Sequence, residues 1–150
     1  MIIKFLVVLV TLFSISSADN INIDTITAKA KKSHKYVLVF LHRPNCSYCN
    51  TMIEFTLPDE KIVQKIKKSF IFVDIDISDS GEVIFDDFKG TKQEFAISIG
   101  YNFYPSSVFI DKNKEIVYAQ PGYQDEDVFL NILRFVESHS YKEMDIEDFK

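Results

Sequence analysis

Tryptophan is absent from the 150 residues, and cysteine, glycine and proline are scarce at 2, 4 and 4. So little Gly and Pro excludes collagen-like sequence, and a 47% hydrophobic content excludes intrinsic disorder. Two cysteines are too few for a disulfide-dense mini-protein. With only three histidines beside them, they do not readily make a structural zinc site. Positive charge is also short: 17 Lys and Arg against 22 Asp and Glu give −5. Such a balance argues against a nucleic-acid binder, whose phosphate contacts need a basic patch. What is plentiful is aromatic, with 14 Phe and 7 Tyr as core material for one domain of ordinary size.

The apolar run from Phe5 to Phe13 is broken only by Thr11 and is shorter than the roughly 20 residues of a membrane-spanning helix. Lys4 precedes it, and Ser14, Ile15, Ser16, Ser17 and Ala18 follow, with Ser16 and Ala18 at −3 and −1 of a cut before Asp19. Residues 1–18 therefore read as a signal peptide. No cysteine follows the run, so a bacterial lipoprotein is excluded. Cleavage removes one Lys and leaves 16 basic against 22 acidic residues, a mature charge of −6. The expected location is periplasmic or secreted, where disulfides form and persist.

From residue 19 onward, strand and helix patterns alternate. Thr25–Lys35 is polar and Lys-rich, a solvated amphipathic helix. Tyr36–Leu41 is a continuous apolar run, as a central strand covered on both faces requires. Cys46–Phe55 has helical spacing at Cys49, Met52 and Ile53, Pro58 breaks it, and Asp59–Lys68 resumes with Ile62, Val63 and Ile66. Phe70–Ile77 is a second strand, and Ser78–Lys89 an excursion holding one short hairpin. Thr91 and Glu94 form a capping-box pattern for a helix ending before Gly100. Ser106–Ile110 and Glu115–Ala119 form a hairpin. Asp125–Ser138 is a helix with Val128, Phe129, Ile132, Leu133, Phe135 and Val136 on one apolar face. The acidic tail 139–150 carries Met144, Ile146 and Phe149 to fold back on a core of about 25–138. The expected architecture is an α/β three-layer sandwich around a central mixed sheet.

The chemistry concentrates at Cys46-Ser47-Tyr48-Cys49. A cysteine pair three apart, directly after an apolar strand, falls on the first turn of the next helix. Free N–H groups and the helix dipole there stabilise a thiolate at Cys46, the attacking group in disulfide exchange. Cys49, one turn deeper, is placed to resolve the mixed disulfide, and Arg43 adds positive potential. A purely structural disulfide across so short a loop constrains little of the unfolded chain. A metal site would need ligands from His34, His42 and His139, far apart in sequence. Two inert buried thiols remain the other alternative.

The segment Val37–Cys49 (VLVFLHRPNCSYC), the strand Phe70–Ile77, Phe103-Tyr104-Pro105-Ser106 followed by Val108–Asp111, and Gly122 after the last hairpin resemble the thioredoxin superfamily. The likeness extends to periplasmic SoxW-like thioredoxin-related proteins. The resemblance implies a thioredoxin-like fold with Pro105 as a cis-proline facing the cysteines, and client contacts from Ser47, Tyr48, Tyr104 and Pro105. It implies no cofactor beyond the Cys46–Cys49 dithiol/disulfide and no metal. The implied partners are cysteine-containing client proteins and a membrane thiol electron donor, with the protein a monomer. Two positions depart from the pattern. Asn45 stands where thioredoxins carry Trp, and Phe40 stands where they bury a carboxylate. His42 is close enough along the chain to substitute as a base, although a solvated histidine at a strand end is the plainer reading. The expected function is an exported thiol–disulfide oxidoreductase working in the reducing direction. Its alternatives are a disulfide-donating oxidase and a non-catalytic client-binding module.

Overall fold

The computed structural model describes residues 19–150, so the segment read as a signal peptide lies outside the described residues. In chain order the elements are β1 (Ile21–Asn22), α1 (Ile23–Lys32), β2 (Tyr36–His42), α2 (Ser47–Thr51), α3 (Glu60–Ser69), β3 (Phe70–Asp76), β4 (Glu82–Phe85), β5 (Phe88–Thr91), α4 (Lys92–Ser98), β6 (Ser106–Ile110), β7 (Ile116–Pro121) and α5 (Glu126–Glu137). The main sheet has the order β3-β2-β6-β7, with β2 parallel to β3 and antiparallel to β6.

The apolar run of β2 is covered on both faces, as its composition demands. Val37, Val39 and Leu41 pack with Ile23 and Ala30 of α1 and Phe95 and Ala96 of α4. Leu38 and Phe40 face the other way, toward Met52, Ile62 of α3, and Phe129, Ile132, Leu133 and Val136 of α5. Strict alternation along one strand thus builds two cores and three layers.

Several expectations need correction. The expected three layers around a central mixed sheet are present, and a second, three-stranded sheet stands beside them, because β1 pairs in parallel with β4 and joins the β4–β5 hairpin. The excursion after β3 is that hairpin, and a two-residue β1 is too short for any periodic signal. Helix α1 begins earlier than expected because Asn22 caps it, its side-chain oxygen accepting from Thr25 N at 2.9 Å.

The helix expected over Cys46–Phe55 stays α-helical only to Thr51, then widens into a π-helical turn over Met52–Thr56. The wider turn buries Met52 and Thr56 and leaves Ile53 exposed. Thr56 Oγ1 donates to the Gln124 carbonyl at 2.9 Å, which fastens this turn to the segment before α5. On α5, Leu130 is buried and Val128 is exposed, shifting the expected apolar face by part of a turn. In the tail, Ile146 and Phe149 pack on the α5 core, while Met144 faces solvent.

Candidate active site

Strand β2 delivers the chain to Arg43, Pro44 and Asn45. Asn45 adopts a left-handed backbone with φ 56°, a conformation Asn tolerates better than Trp does. That turn sets Cys46 as the N-cap of α2, with its Sγ accepting from Cys49 N at 3.2 Å. The two cysteines are joined as a disulfide with Cα atoms 5.2 Å apart. Cys46 is half-buried and Cys49 is fully buried, so an incoming sulfur has access to Cys46 alone.

Opposite the disulfide lies the loop before β6. The Tyr104–Pro105 peptide bond is cis, and the Tyr104 carbonyl oxygen lies 3.7 Å from Cys46 Sγ. The loop is fastened on both sides: Ser106 Oγ donates to the Phe103 carbonyl at 2.5 Å, and Gly122 N donates to the Pro105 carbonyl at 2.7 Å. The Arg43 guanidinium sits over the Tyr104 ring, 5.7 Å from its centre, a cation–π contact that keeps a fixed positive charge beside the cysteines. Burial pushes the Tyr104 phenol up, against the opposing pull of Arg43.

Of the client-contact residues expected from sequence, Ser47 and Tyr48 are exposed on the first turn of α2, while Pro105 is buried and Tyr104 half-buried. Sequence reasoning missed Tyr123 and Phe103. The Tyr123 ring lies 5.9 Å from that of Tyr48, and Phe103 is 73% exposed beside Tyr104. Together with Tyr48, 65% exposed, they leave an aromatic rim around the disulfide. Phe103 and Tyr123 directly precede or follow residues that were singled out, Tyr104 and Gly122; adjacency was the available signal.

His42 is not the solvated histidine expected. Its side chain is 14% exposed, its ring stacks on Phe40 at 5.5 Å, and its Nε2 lies 2.9 Å from Asp74 Oδ1. The contact is an ion pair when the imidazole is protonated. The Asp74 carboxylate pushes His42 above its ordinary value, burial opposes this, and Asp76 and Asp79 add to the rise. The structure therefore gives His42 a carboxylate on the neighbouring strand as its close polar partner. Phe40 is fully buried, with an apolar ring where a carboxylate was expected from the resemblance. No group of three or more metal-ligating side chains occurs among the described residues.

A strand, a helix capped by the first of two cysteines, and a cis-proline loop against that cysteine define a thioredoxin-type site. The thioredoxin-like domain family matches residues 23–137, and the chain belongs to that family. No curated sequence matches it. Among solved structures it is similar to a thioredoxin-fold protein from Helicobacter pylori, at 23% identity and TM-score 0.63, over 83% of this chain and 90% of that one. A thioredoxin from Thermus thermophilus is similar at 24% identity and TM-score 0.61, over 80% and 87%. The C-terminal domain of DsbD from Neisseria meningitidis is similar at 16% identity and TM-score 0.55, over 75% and 91%. At these identities the likeness is one of fold.

Proposed function

We propose that the protein is an exported thiol–disulfide oxidoreductase that reduces disulfides in client proteins. One observation carries the reading: a half-buried Cys46 Sγ at the start of α2, 3.7 Å from the Tyr104 carbonyl, with its partner Cys49 fully buried. In the reduced form the Cys46 thiolate attacks one client sulfur, forming a mixed disulfide and expelling the other client sulfur as a thiolate, which takes up a proton. The Cys49 thiolate then attacks Cys46 Sγ. The mixed disulfide breaks, the first client sulfur leaves as a thiolate that takes up the proton Cys49 gave up, and two electrons have passed to the client. A thiol donor, at the membrane in this reading, restores the dithiol. The client docks as an extended segment along the Tyr104–Pro105 loop, with the aromatic rim beside it.

Thiol–disulfide exchange is supported by the thioredoxin-like family; the reducing direction and the finer likeness to SoxW-type proteins are part of the proposal. Export is supported by the charged start, apolar run and small residues of positions 1–18. Mass spectrometry of protein recovered from a bacterial periplasm is expected to find Asp19 as the first residue, and an intact Met1 there would overturn export. For the chemistry, insulin reduction is expected, with a potential near the −270 mV of thioredoxin; one near −120 mV marks a disulfide donor. Cys49→Ser is expected to trap mixed disulfides and Cys46→Ser to trap few. Failure of both exchange and trapping leaves a client-binding module.

A further inference from the structure

We propose that the cleft at the opposite end of the main sheet from the cysteines binds a small phosphate monoester. The cleft has a volume of about 280 Å³ and opens beside Tyr36, the first residue of β2. The cysteines follow the other end of that seven-residue strand, about 20 Å away at the rise of an extended chain. It is therefore separate from the disulfide site, and the proposal does not depend on the redox reading.

The charge of this cleft is opposite to that of the chain. Lys31, Lys35, Lys112 and Lys142 line it, against Asp111 as its one carboxylate. Among the described residues none of these four lysines forms an ion pair, while Lys65, Lys89, Lys92 and Lys114 all do. Asp111 is also occupied. Its Oδ1 accepts from Asn113 N at 2.7 Å and Glu115 N at 3.1 Å. The carbonyls ending α1, which would otherwise attract the ammoniums, accept from Ser33, His34 and Lys35 N–H groups. Those near the end of α5 accept from Ser138 and His139. Lys35 Nζ donates to the Lys67 carbonyl at 2.6 Å, so the positive field left over for a ligand is chiefly that of Lys31, Lys112 and Lys142.

The cleft also holds neutral donors in place. The Tyr36 hydroxyl meets both His139 Nδ1 and, at 3.0 Å, the Tyr141 hydroxyl. Burial, with Tyr141 beside it, holds the Tyr36 phenol well above its ordinary value, so it adds no negative charge. With Tyr36 donating to Nδ1, the neutral imidazole carries its proton on Nε2. Lys142 is held over the Tyr141 ring at 5.9 Å. The cationic lining is entirely lysine, and the chain's two arginines, Arg43 and Arg134, are not part of it. Ammonium groups bind phosphate as point charges. A phosphate monoester gathers its charge on one tetrahedral centre that several of them can surround, whereas a di- or tricarboxylate spreads its charge over separate planar groups. A phosphate monoester is therefore favoured over a di- or tricarboxylate.

The test is an NMR titration of the whole protein with glycerol phosphate, a small phosphate monoester, at about 0.15 M salt, where contacts between exposed charges are largely screened. Amide shifts are expected at residues 34–36, 111–114 and 139–142. The double variant Lys112→Ser/Lys142→Ser is expected to weaken binding about tenfold or more, while leaving insulin reduction unchanged. Citrate at equal ionic strength is expected to bind far more weakly. Flotation with phosphatidic acid vesicles distinguishes the source: binding lost in the double variant assigns the phosphate to a lipid headgroup, and binding of glycerol phosphate alone assigns a soluble ester. Shifts scattered over the surface, an unaltered double variant, equal binding of citrate, or no binding to either probe would overturn the proposal.

Discussion

His42 and Asp74 show how a single side-chain pair adds a pH dependence that the sequence did not announce. In the folded chain His42 titrates above its ordinary value because the Asp74 carboxylate lies 2.9 Å away. Its folded value therefore exceeds the unfolded one, near 6.5. The stabilisation is fully present below about pH 6.5 and is lost as pH rises through the folded value. Asp74 is more than half exposed, so solvent screening holds the pair to less than about 1 kcal/mol. Asp74→Asn is expected to lower urea stability at about pH 5.5 and to matter less at pH 8, through titration of His42. An equal loss at both would assign the residue a role other than charge. The two cysteines were legible because their spacing and the strand before them carry the signal locally. The His42–Asp74 contact spans two strands, and the Tyr48–Tyr123 contact spans most of the domain; no local pattern encodes either.

Among the elements, α4 was the most legible, since its start is written in two residues. Glu94 N donates to Thr91 Oγ1 at 3.2 Å, and Thr91 N donates back to Glu94 Oε2 at 2.9 Å. The Thr91 N–H and the Thr91 hydroxyl, which also donates to Oε2 at 2.9 Å, hold Glu94 below the usual carboxylate range. The cap matters beyond the helix, because α4 carries Phe95 and Ala96 into the core above β2. Thr91→Ala is expected to lower unfolding free energy by about 1 kcal/mol, with Thr91→Ser close to neutral, both read from urea denaturation midpoints. Loss of the same size in both variants would point to the Thr methyl group instead of the hydroxyl. The π-helical turn after α2 was illegible for the opposite reason. Met52–Thr56 carries no Gly, Pro or capping residue to mark a change of pitch, and the change is fixed by Thr56 reaching Gln124 across the fold.

For the whole molecule, three layers followed from the pattern of β2, but the number of sheets did not, because β1 spends its two residues on β4. That choice leaves β3 at the margin of the main sheet. Among the described residues no strand pairs with its outer side. Such a margin presents unpaired peptide groups and is a template for another chain to add itself, the first step toward aggregation. Asp74 and Asp76 lie along it. Partial burial pulls Asp76 up, yet bonds from Ser78 and the nearby charges of His42 and Lys92 hold it below the usual carboxylate value, so it keeps its charge in mild acid. Two carboxylates on one margin repel a second copy brought alongside. The double variant Asp74→Asn/Asp76→Asn is expected to scatter light increasingly with concentration at pH 7, where the parent protein stays clear. If the double variant stays equally clear, something other than charge protects that strand. If instead the double variant clouds, the guard against chain-to-chain growth along β3 is two aspartates that take no part in the protein's chemistry.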